Sequence, residues 1–181
     1  MAQKALGPAL KQLKDRNKLI GAEIGVYFGT NASYYLEELD IESVFLIDPY
    51  TGYENYDPVK VGLISLEVAE GIAHHQLLKY KQKIMWIKKK ASEAAGLIAD
   101  DSLDFVYIDG NHSHDSVTED ILLYYPKLKK DGLLSGHDYD YESIKKAVDG
   151  FAGSHGLAIH TKDTGELGGK KKYDWWIWKG Q

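Results

Sequence analysis

Two short polar segments carry the side chains best suited to chemistry. Asp109 and His112 follow one apolar run of the chain, and His137 and Asp138 follow the next. If these runs are neighbouring parallel strands, their carboxyl ends meet at one edge of the sheet, where such folds bind ligands. Two carboxylates and an imidazole at that edge could hold a divalent cation. The competing interpretation is that the same residues only cap the adjacent helices, with His137 serving as a hydrogen-bond partner.

A second motif lies near the amino terminus, where Glu23, Gly25, Tyr27 and Gly29 end the first predicted strand. The glycines allow a tight turn and a close approach of the backbone to a ligand. Asp48 comes 19 residues after Gly29 and ends the next apolar run, where an acid can accept hydrogen bonds from ribose hydroxyls. The third glycine of the dinucleotide fingerprint is absent. The pattern therefore favours a positively charged nucleoside ligand over a dinucleotide.

Apolar runs alternate with helical stretches along the chain, which is typical of a parallel sheet covered by helices. We predict an α/β fold with a Rossmann-like, doubly wound, seven-stranded, mostly parallel sheet, helices on both faces and an antiparallel terminal strand. The predicted strands are 19–27, 43–48, 84–87, 103–108, 133–135, 157–160 and 175–178. The predicted helices are 2–17, 30–39, 92–98, 114–129 and 141–151.

Residues 1–181 are assigned to a single domain, in which two segments stand apart from the regular alternation. We predict an N-terminal helix within residues 1–18. Residues 50–80 exceed the usual length of a connection, so we interpret them as an inserted lid that faces the substrate. Five tyrosines are candidates for lining an acceptor pocket, although each could be an ordinary half-buried aromatic: Tyr50, Tyr53, Tyr56, Tyr139 and Tyr141.

The tryptophans near the carboxyl terminus test the strand assignment. Alternation along a last strand sends Trp176 and Trp178 to one face of the sheet, and Trp175 and Ile177 to the other. Helices cover both faces of such a sheet, so we expect these side chains to pack in the core rather than form a stacking platform.

Composition narrows the class of protein. The chain has 22 Lys and Arg against 27 Asp and Glu, a net charge of −5, which argues against a protein that grips nucleic acid. Cysteine is absent, which removes disulfides, thiolate metal sites and a cysteine nucleophile. No apolar run approaches the roughly 20 residues of a membrane helix, and Met1–Lys4 leads into no signal core. We expect a cytoplasmic protein with a small-molecule acceptor and no nucleic-acid or membrane partner. The sequence leaves the oligomeric state open, and a homo-oligomer is one of the alternatives.

Taken together, these motifs resemble those of class I S-adenosylmethionine-dependent methyltransferases. The similarity is strongest to the metal-dependent small-molecule O-methyltransferases of the catechol and macrolide-sugar types. It rests on the Glu-x-Gly-x-x-x-Gly motif at 23–29, the acid Asp48, the segment 107–114 and the Gly-His-Asp segment at 136–138, and it spans residues 19–179 in element order. The resemblance implies S-adenosylmethionine as the methyl donor and admits a divalent cation, such as Mg²⁺ or Mn²⁺.

The resemblance also implies roles for individual residues. Glu23, Gly25 and Gly29 would contact the methionine part of the donor, Asp48 the ribose, and Ser92 and Glu93 the adenine. The full set of candidate cofactor-binding residues is Glu23, Gly25, Tyr27, Gly29, Asp48, Ser92, Glu93 and Asp109.

For the acceptor side, the resemblance implies metal ligands at Asp109, His137 and Asp138, and a catalytic pair of Asp109 with His112 as the base. The family usually has a carboxylate where this chain has His137. An imidazole there shifts the preference toward Mn²⁺, Fe²⁺ or Zn²⁺, or means that no metal binds.

The predicted function is O-methylation of a small hydroxylated molecule. A second hypothesis is an NAD-type oxidoreductase, which the missing third glycine disfavours. A third is a donor-binding protein without catalysis, which the unusual His137 admits. A nucleic-acid methyltransferase has support only from the lysine clusters 88–90 and 170–172, and such runs are usually solvated faces.

Overall fold

Seven strands form one sheet in the computed structural model, which describes residues 6–52, 64–167 and 169–180. The strands are β1 (Leu19–Ile24), β2 (Ile41–Ile47), β3 (Ile84–Ile87), β4 (Leu103–Ile108), β5 (Leu128–Gly136), β6 (His160–Leu167) and β7 (Lys170–Trp178). Their order across the sheet is β3-β2-β1-β4-β5-β7-β6. Only β7 runs against its neighbours β5 and β6. The predicted fold class, a mostly parallel sheet with an antiparallel terminal strand, is confirmed.

Helices cover both faces of the sheet. They are α1 (Thr30–Glu38), α2 (Leu66–Gln76), α3 (Ala91–Ala94), α4 (His114–Tyr124) and α5 (Glu142–His155). Buried side chains of α3, α4 and α5 pack on one face together with Trp175 and Ile177. Those of α1 and the N-terminal segment pack on the other face with Trp176 and Trp178. The predicted alternation of the terminal tryptophans is therefore confirmed, with all of them in or against the core.

The N-terminal helix predicted for residues 1–18 is wrong for the described part of that segment. Residues 6–18 contain only a single 3-10 turn, Leu10–Leu13. Tertiary contacts explain the difference, because the backbone N–H of Ala9 donates to Asp174 Oδ2 at 3.1 Å. A Cβ on Gly7 would lie 2.6 Å from the same oxygen, so the chain passes close to β7 at this point.

Part of the segment 50–80 is an ordinary crossover rather than an insertion. Helix α2 and a 3-10 turn at Leu78–Tyr80 carry the chain from β2 to its parallel neighbour β3, a connection that needs such a helix. Tyr53 and Tyr56 fall within residues 53–63, outside the described residues, so the lid interpretation stays a prediction there.

Other boundaries differ from the predicted ones because long-range pairing decides them. Helix α4 ends at Tyr124 rather than at residue 129, since Leu128 already pairs with Leu103 of β4. The predicted strand 157–160 begins only at His160, as β6, which continues to Leu167 and pairs with β7 in a hairpin. No helix within the described ranges has the length and apolar character needed to cross a membrane.

Candidate active site at the carboxyl ends of the strands

A cavity of about 1340 Å³ opens at the carboxyl ends of the central strands. Ile24 of β1 pairs with Ile108 of β4, and Ile108 pairs with Gly136 of β5, so these three strands end level with one another. The segments that follow them therefore meet at one edge of the sheet. This is the place where ligands bind in open α/β folds.

The glycine motif forms one wall of this cavity. Gly25 has φ +85°, and a Cβ there would lie 2.2 Å from the backbone oxygen of Asp109. Only glycine can bring the two strand ends this close. Gly29, with φ +71°, precedes the first turn of α1. Tyr27 lines the cavity between them, also with a positive φ of 48°.

Asp48 lines the cavity and also holds the glycine loop in shape. Its Oδ2 accepts hydrogen bonds from the backbone N–H groups of Val26 and Tyr27, both at 2.9 Å. Its Oδ1 accepts from the N–H of Tyr50 at 2.8 Å, and the Tyr50 hydroxyl donates to the carbonyl of Tyr27 at 3.0 Å. The acid predicted for ribose binding thus fixes the loop that faces the same cavity.

Glu23 is a buried acid at the base of the cavity, only 1% exposed. Its carboxyl accepts hydrogen bonds from the Tyr35 hydroxyl at 2.8 Å and from the Asn31 amide at 3.2 Å. Burial outweighs these bonds and raises the pKa of Glu23 to about 8. At neutral pH this residue is therefore mostly uncharged, which the sequence did not indicate.

Asp109, His112 and Asp138 form an acidic cluster, and their ligand atoms lie within 4.8 Å of one another. The His112 Nε2 is 3.7 Å from Asp109 Oδ1 and 3.5 Å from Asp138 Oδ2. This nitrogen is buried and makes no hydrogen bond within the part of the chain that the structure describes. The facing Asp109 carboxylate raises the pKa of His112.

His137 does not join this cluster, so the predicted ligand set of Asp109, His137 and Asp138 is not the one that the structure assembles. The His137 Nδ1 lies 2.9 Å from Asp174 Oδ1, and its Nε2 is 3.8 Å from Asp138 Oδ1. Asp174 comes from β7 and is 1% exposed. The imidazole faces the cavity but is held by β7.

Lys172, also from β7, supplies a cation that the sequence analysis missed. Its Nζ lies 2.8 Å from Asp138 Oδ1 and 3.1 Å from Asp140 Oδ2, and 4.2 Å from the centre of the Tyr141 ring. Burial opposes the charge, but the two carboxylates raise the pKa of Lys172 above its ordinary value. Lys172 therefore does not belong to a solvated face, unlike the expectation for the run 170–172. Its contacts with Asp138 and Asp140 follow from the position of β7 beside β5.

The loop after β3 forms the far end of the cavity. Ser92 lines it together with Lys90 and Ala91. Glu93 is not among the lining residues; its carboxylate accepts from the Lys90 N–H at 3.3 Å and caps α3, so its predicted contact with adenine is not supported. The buried Asp120 of α4 lines this end of the cavity and was missed by the sequence analysis.

Three of the five tyrosines predicted for an acceptor pocket lie within the described residues, and none of these three, Tyr50, Tyr139 and Tyr141, lines the cavity. Tyr50 is buried behind the glycine loop, the Tyr139 hydroxyl donates to Asp149, and Tyr141 stacks on His112 with ring centres 5.5 Å apart. The wall on that side consists of the N-terminal segment and the β6–β7 hairpin. Its members are Leu6, Gly7, Pro8, Lys11, Asp163, Thr164, Gly165 and Glu166.

The fold and the cavity define a Rossmann-like class of α/β protein, in which ligands bind beyond the carboxyl ends of the strands. Residues 22–139, which span the whole site from Glu23 to Asp138, match the family described as a methyltransferase domain. The chain therefore belongs to the family of S-adenosylmethionine-dependent methyltransferase domains. No curated protein matches the sequence.

Solved structures share the fold at low sequence identity. An rRNA methylase from Streptococcus thermophilus is 14% identical with a TM-score of 0.67, covering 95% of this chain and 92% of that chain. A precorrin-6y C5,15-methyltransferase from Geobacter metallireducens is 18% identical with a TM-score of 0.66, covering 94% and 86%. The 1,6-didemethyltoxoflavin-N1-methyltransferase of Burkholderia thailandensis, solved with S-adenosylhomocysteine, is 11% identical with a TM-score of 0.65, covering 99% and 80%.

Proposed function

We propose that this chain transfers a methyl group from S-adenosylmethionine to a hydroxyl of a small molecule, assisted by a divalent cation that Asp109, His112 and Asp138 hold. One observation carries the proposal. A buried imidazole nitrogen faces two carboxylates at 3.5 and 3.7 Å, too far for hydrogen bonds, beside the predicted donor site.

The spacing and the chemistry of these residues fit a cation. A buried polar atom is almost always hydrogen-bonded, and the His112 Nε2 faces two carboxylates without a hydrogen bond to either, which leaves a place for a ligand such as a cation. Ligand atoms within 4.8 Å of one another need only a small side-chain adjustment to reach a common metal at roughly 2.0–2.2 Å. One imidazole with two carboxylates favours Mn²⁺, Fe²⁺ or Zn²⁺ over Mg²⁺. A cation bound there would lower the pKa of an acceptor hydroxyl.

The other residues of the chain would contribute to catalysis by positioning the donor and the acceptor. The acceptor oxygen attacks the donor's methyl carbon in line as the carbon–sulfur bond breaks, the hydroxyl proton leaves to water, and S-adenosylhomocysteine is released. The loop at Gly25, held by Asp48, leaves room for the donor, while the cluster lies on the strand ends next to it. In this scheme His112 is a ligand rather than the base that the sequence suggested.

The acceptor side of the cavity supports a small polar substrate. Its wall carries Lys11, Asp163 and Glu166, and His137 faces the same space. Such side chains suit hydrogen bonding to a hydroxylated molecule better than packing against an apolar one. The fold similarity to an rRNA methylase does not bear on the acceptor, and Lys88 of the run 88–90 is paired with Glu70 at 2.7 Å.

The test is a metal titration combined with transfer assays. Binding of Mn²⁺ should be measured by calorimetry for the wild type, for His112→Ala and for the control His114→Ala, which removes an exposed histidine two residues away. We expect His112→Ala to weaken Mn²⁺ binding at least about tenfold and the control to leave it unchanged. Full activity after exhaustive chelation would remove the cation from the mechanism.

A metal-free transferase is the second candidate, and Lys172 favours it. Its ammonium already lies 2.8 Å from Asp138 Oδ1, so the cluster has a cation of its own, and His112 would then accept the acceptor's proton. If this candidate is right, Lys172→Met abolishes transfer while chelation has no effect. Lys171→Met is the control, because Lys171 is exposed and pairs with Asp163.

Ligand binding separates the transferase from an oxidoreductase and from a non-catalytic binding protein. The family match argues against an NAD-type oxidoreductase, and equilibrium binding of S-adenosylhomocysteine and of NAD tests that directly. Binding of S-adenosylhomocysteine without transfer to any hydroxylated acceptor would favour a donor-binding protein without catalysis.

A further inference from the structure

We propose that Asp120 on α4 recognises the 6-amino group of the donor's adenine and so selects an adenosyl donor. The inference deepens the proposed function and depends on donor binding in the same cavity. It does not depend on the cation or on the identity of the acceptor.

Asp120 lies in a buried environment, in which a carboxyl group needs a hydrogen-bonding partner. It is 6% exposed and shares the inward face of α4 with Val117, Ile121 and Tyr124. Across the described ranges its carboxyl makes no hydrogen bond and no ion pair. Burying a carboxyl without a partner is costly, so native proteins supply one from the chain, from water or from a ligand.

A partner can approach the Asp120 carboxyl from the cavity. Asp120 lines the cavity at the end formed by Lys90, Ala91 and Ser92. One turn further along α4, the Tyr124 hydroxyl donates to the carbonyl of Ala91 at 2.9 Å. This bond fixes α4 against the loop after β3, and Asp120 and Ser92 both line the cavity.

The donor's groups divide between the two ends of the cavity. The ribose hydroxyls suit Asp48 and the charged methionine part suits the glycine loop at Gly25. That leaves the adenine for the end at Ser92, where its exocyclic amine is the group with N–H bonds to donate. A carboxyl accepts such a bond in either protonation state.

The protonated form of Asp120 would add a second bond. Burial, with the neighbouring Glu119 contributing, raises the pKa of Asp120 to about 7. A protonated carboxyl can donate to the ring nitrogen N1 while it accepts from the amine, which is a bidentate match to one edge of adenine. A ligand group that only donates or only accepts would form just one of these two hydrogen bonds.

Calorimetry with two ligands tests the proposal. The ligands are S-adenosylhomocysteine and its 6-deamino analogue, in which purine replaces adenine. We expect the wild type to bind the adenosyl compound about 10- to 100-fold more tightly, since one hydrogen bond to a buried carboxyl is lost in the analogue. Asp120→Ala should lose most of this preference, and Asp120→Asn, which keeps an acceptor oxygen, should retain much of it.

The control is Asp115→Asn in the first turn of α4, which changes an acid whose side chain is fully exposed and does not line the cavity, and it should leave the preference unchanged. A merely structural Asp120 would change stability and both affinities together, but not their ratio. Equal binding of the two ligands by the wild type, or an unchanged ratio in Asp120→Ala, overturns the inference. Failure of the wild type to bind S-adenosylhomocysteine at all would instead overturn the proposed function.

Discussion

The Nδ1 of His137 lies 2.9 Å from Oδ1 of Asp174, so the imidazole next to Asp138 is held by the last strand. Asp174 also accepts from the Ala9 N–H at 3.1 Å and from the Tyr107 hydroxyl at 3.3 Å. One buried carboxylate therefore joins β4, β7, the N-terminal segment and the residue that follows β5, beside the candidate site.

Replacing Asp174 with alanine should destabilise the protein. The change leaves three polar groups unpaired in or near the core, and we expect a loss of about 3 kcal/mol in the free energy of unfolding. Urea unfolding measures it. Asp163→Ala, at an exposed position on β6, is the control and should change stability by less than about 0.5 kcal/mol. Equal effects of the two changes would show that Asp174 does not join these elements.

Glu23 should make the protein less stable as pH rises. Its pKa is about 8 in the folded state against 4.5 for the ordinary side chain, so the folded state binds the extra proton between these values. Stability contributed by the neutral form is therefore present below about pH 4.5 and is lost as pH rises toward 8, by at most about 1.4 kcal/mol per pH unit.

Urea unfolding of the wild type and of Glu23→Gln from pH 5 to 8 checks this dependence. The difference in unfolding free energy between the two proteins should change with pH in that window, because glutamine does not titrate. Glu38→Gln, at an exposed position, should run parallel to the wild type. A constant difference between wild type and Glu23→Gln would contradict a raised pKa at this position.

Gly25→Ala should damage both stability and donor binding. The new Cβ would meet the Asp109 backbone at 2.2 Å, and φ at +85° is unfavourable for alanine, so we expect a loss of roughly 2–4 kcal/mol. Gly71→Ala is the matched control. It lies in α2 with open space around it and should stabilise the protein by about 0.5–1 kcal/mol. Thermal unfolding with and without S-adenosylhomocysteine measures both effects.

Asp48→Asn should loosen the glycine loop. Asp48 accepts from three backbone N–H groups, and an amide must turn its NH₂ toward at least one of them. We expect S-adenosylhomocysteine to bind at least about tenfold more weakly, with a loss of stability of about 1–3 kcal/mol. Asp40→Asn, an exposed acid that accepts from the Lys18 N–H, serves for comparison and should leave binding unchanged. Wild-type affinity in Asp48→Asn would separate this acid from the donor site.

Local pattern was enough to determine the class of fold and the edge of the sheet that carries the site. The predicted bounds of β3 and β4 agree with the structure, and the terminal tryptophans alternate between the two cores as their spacing requires. Apolar periodicity reports which side of a strand is buried, and a polar residue after such a strand must lie at its carboxyl end. Gly25, Asp48, Asp109 and Asp138 followed from that alone.

Tertiary structure decided which side chains share the site. His112 rather than His137 joins Asp109 and Asp138, because β7 lies against β5 and offers Asp174 to the other imidazole. Lys172 is far along the chain from the motifs and became a neighbour of the cavity only through the placement of β7. Asp120 is close in sequence to His112, but it lines the cavity because α4 packs against the loop after β3. Sequence spacing places a backbone at the end of a strand, but the direction of its side chain depends on the partners that distant segments bring to it.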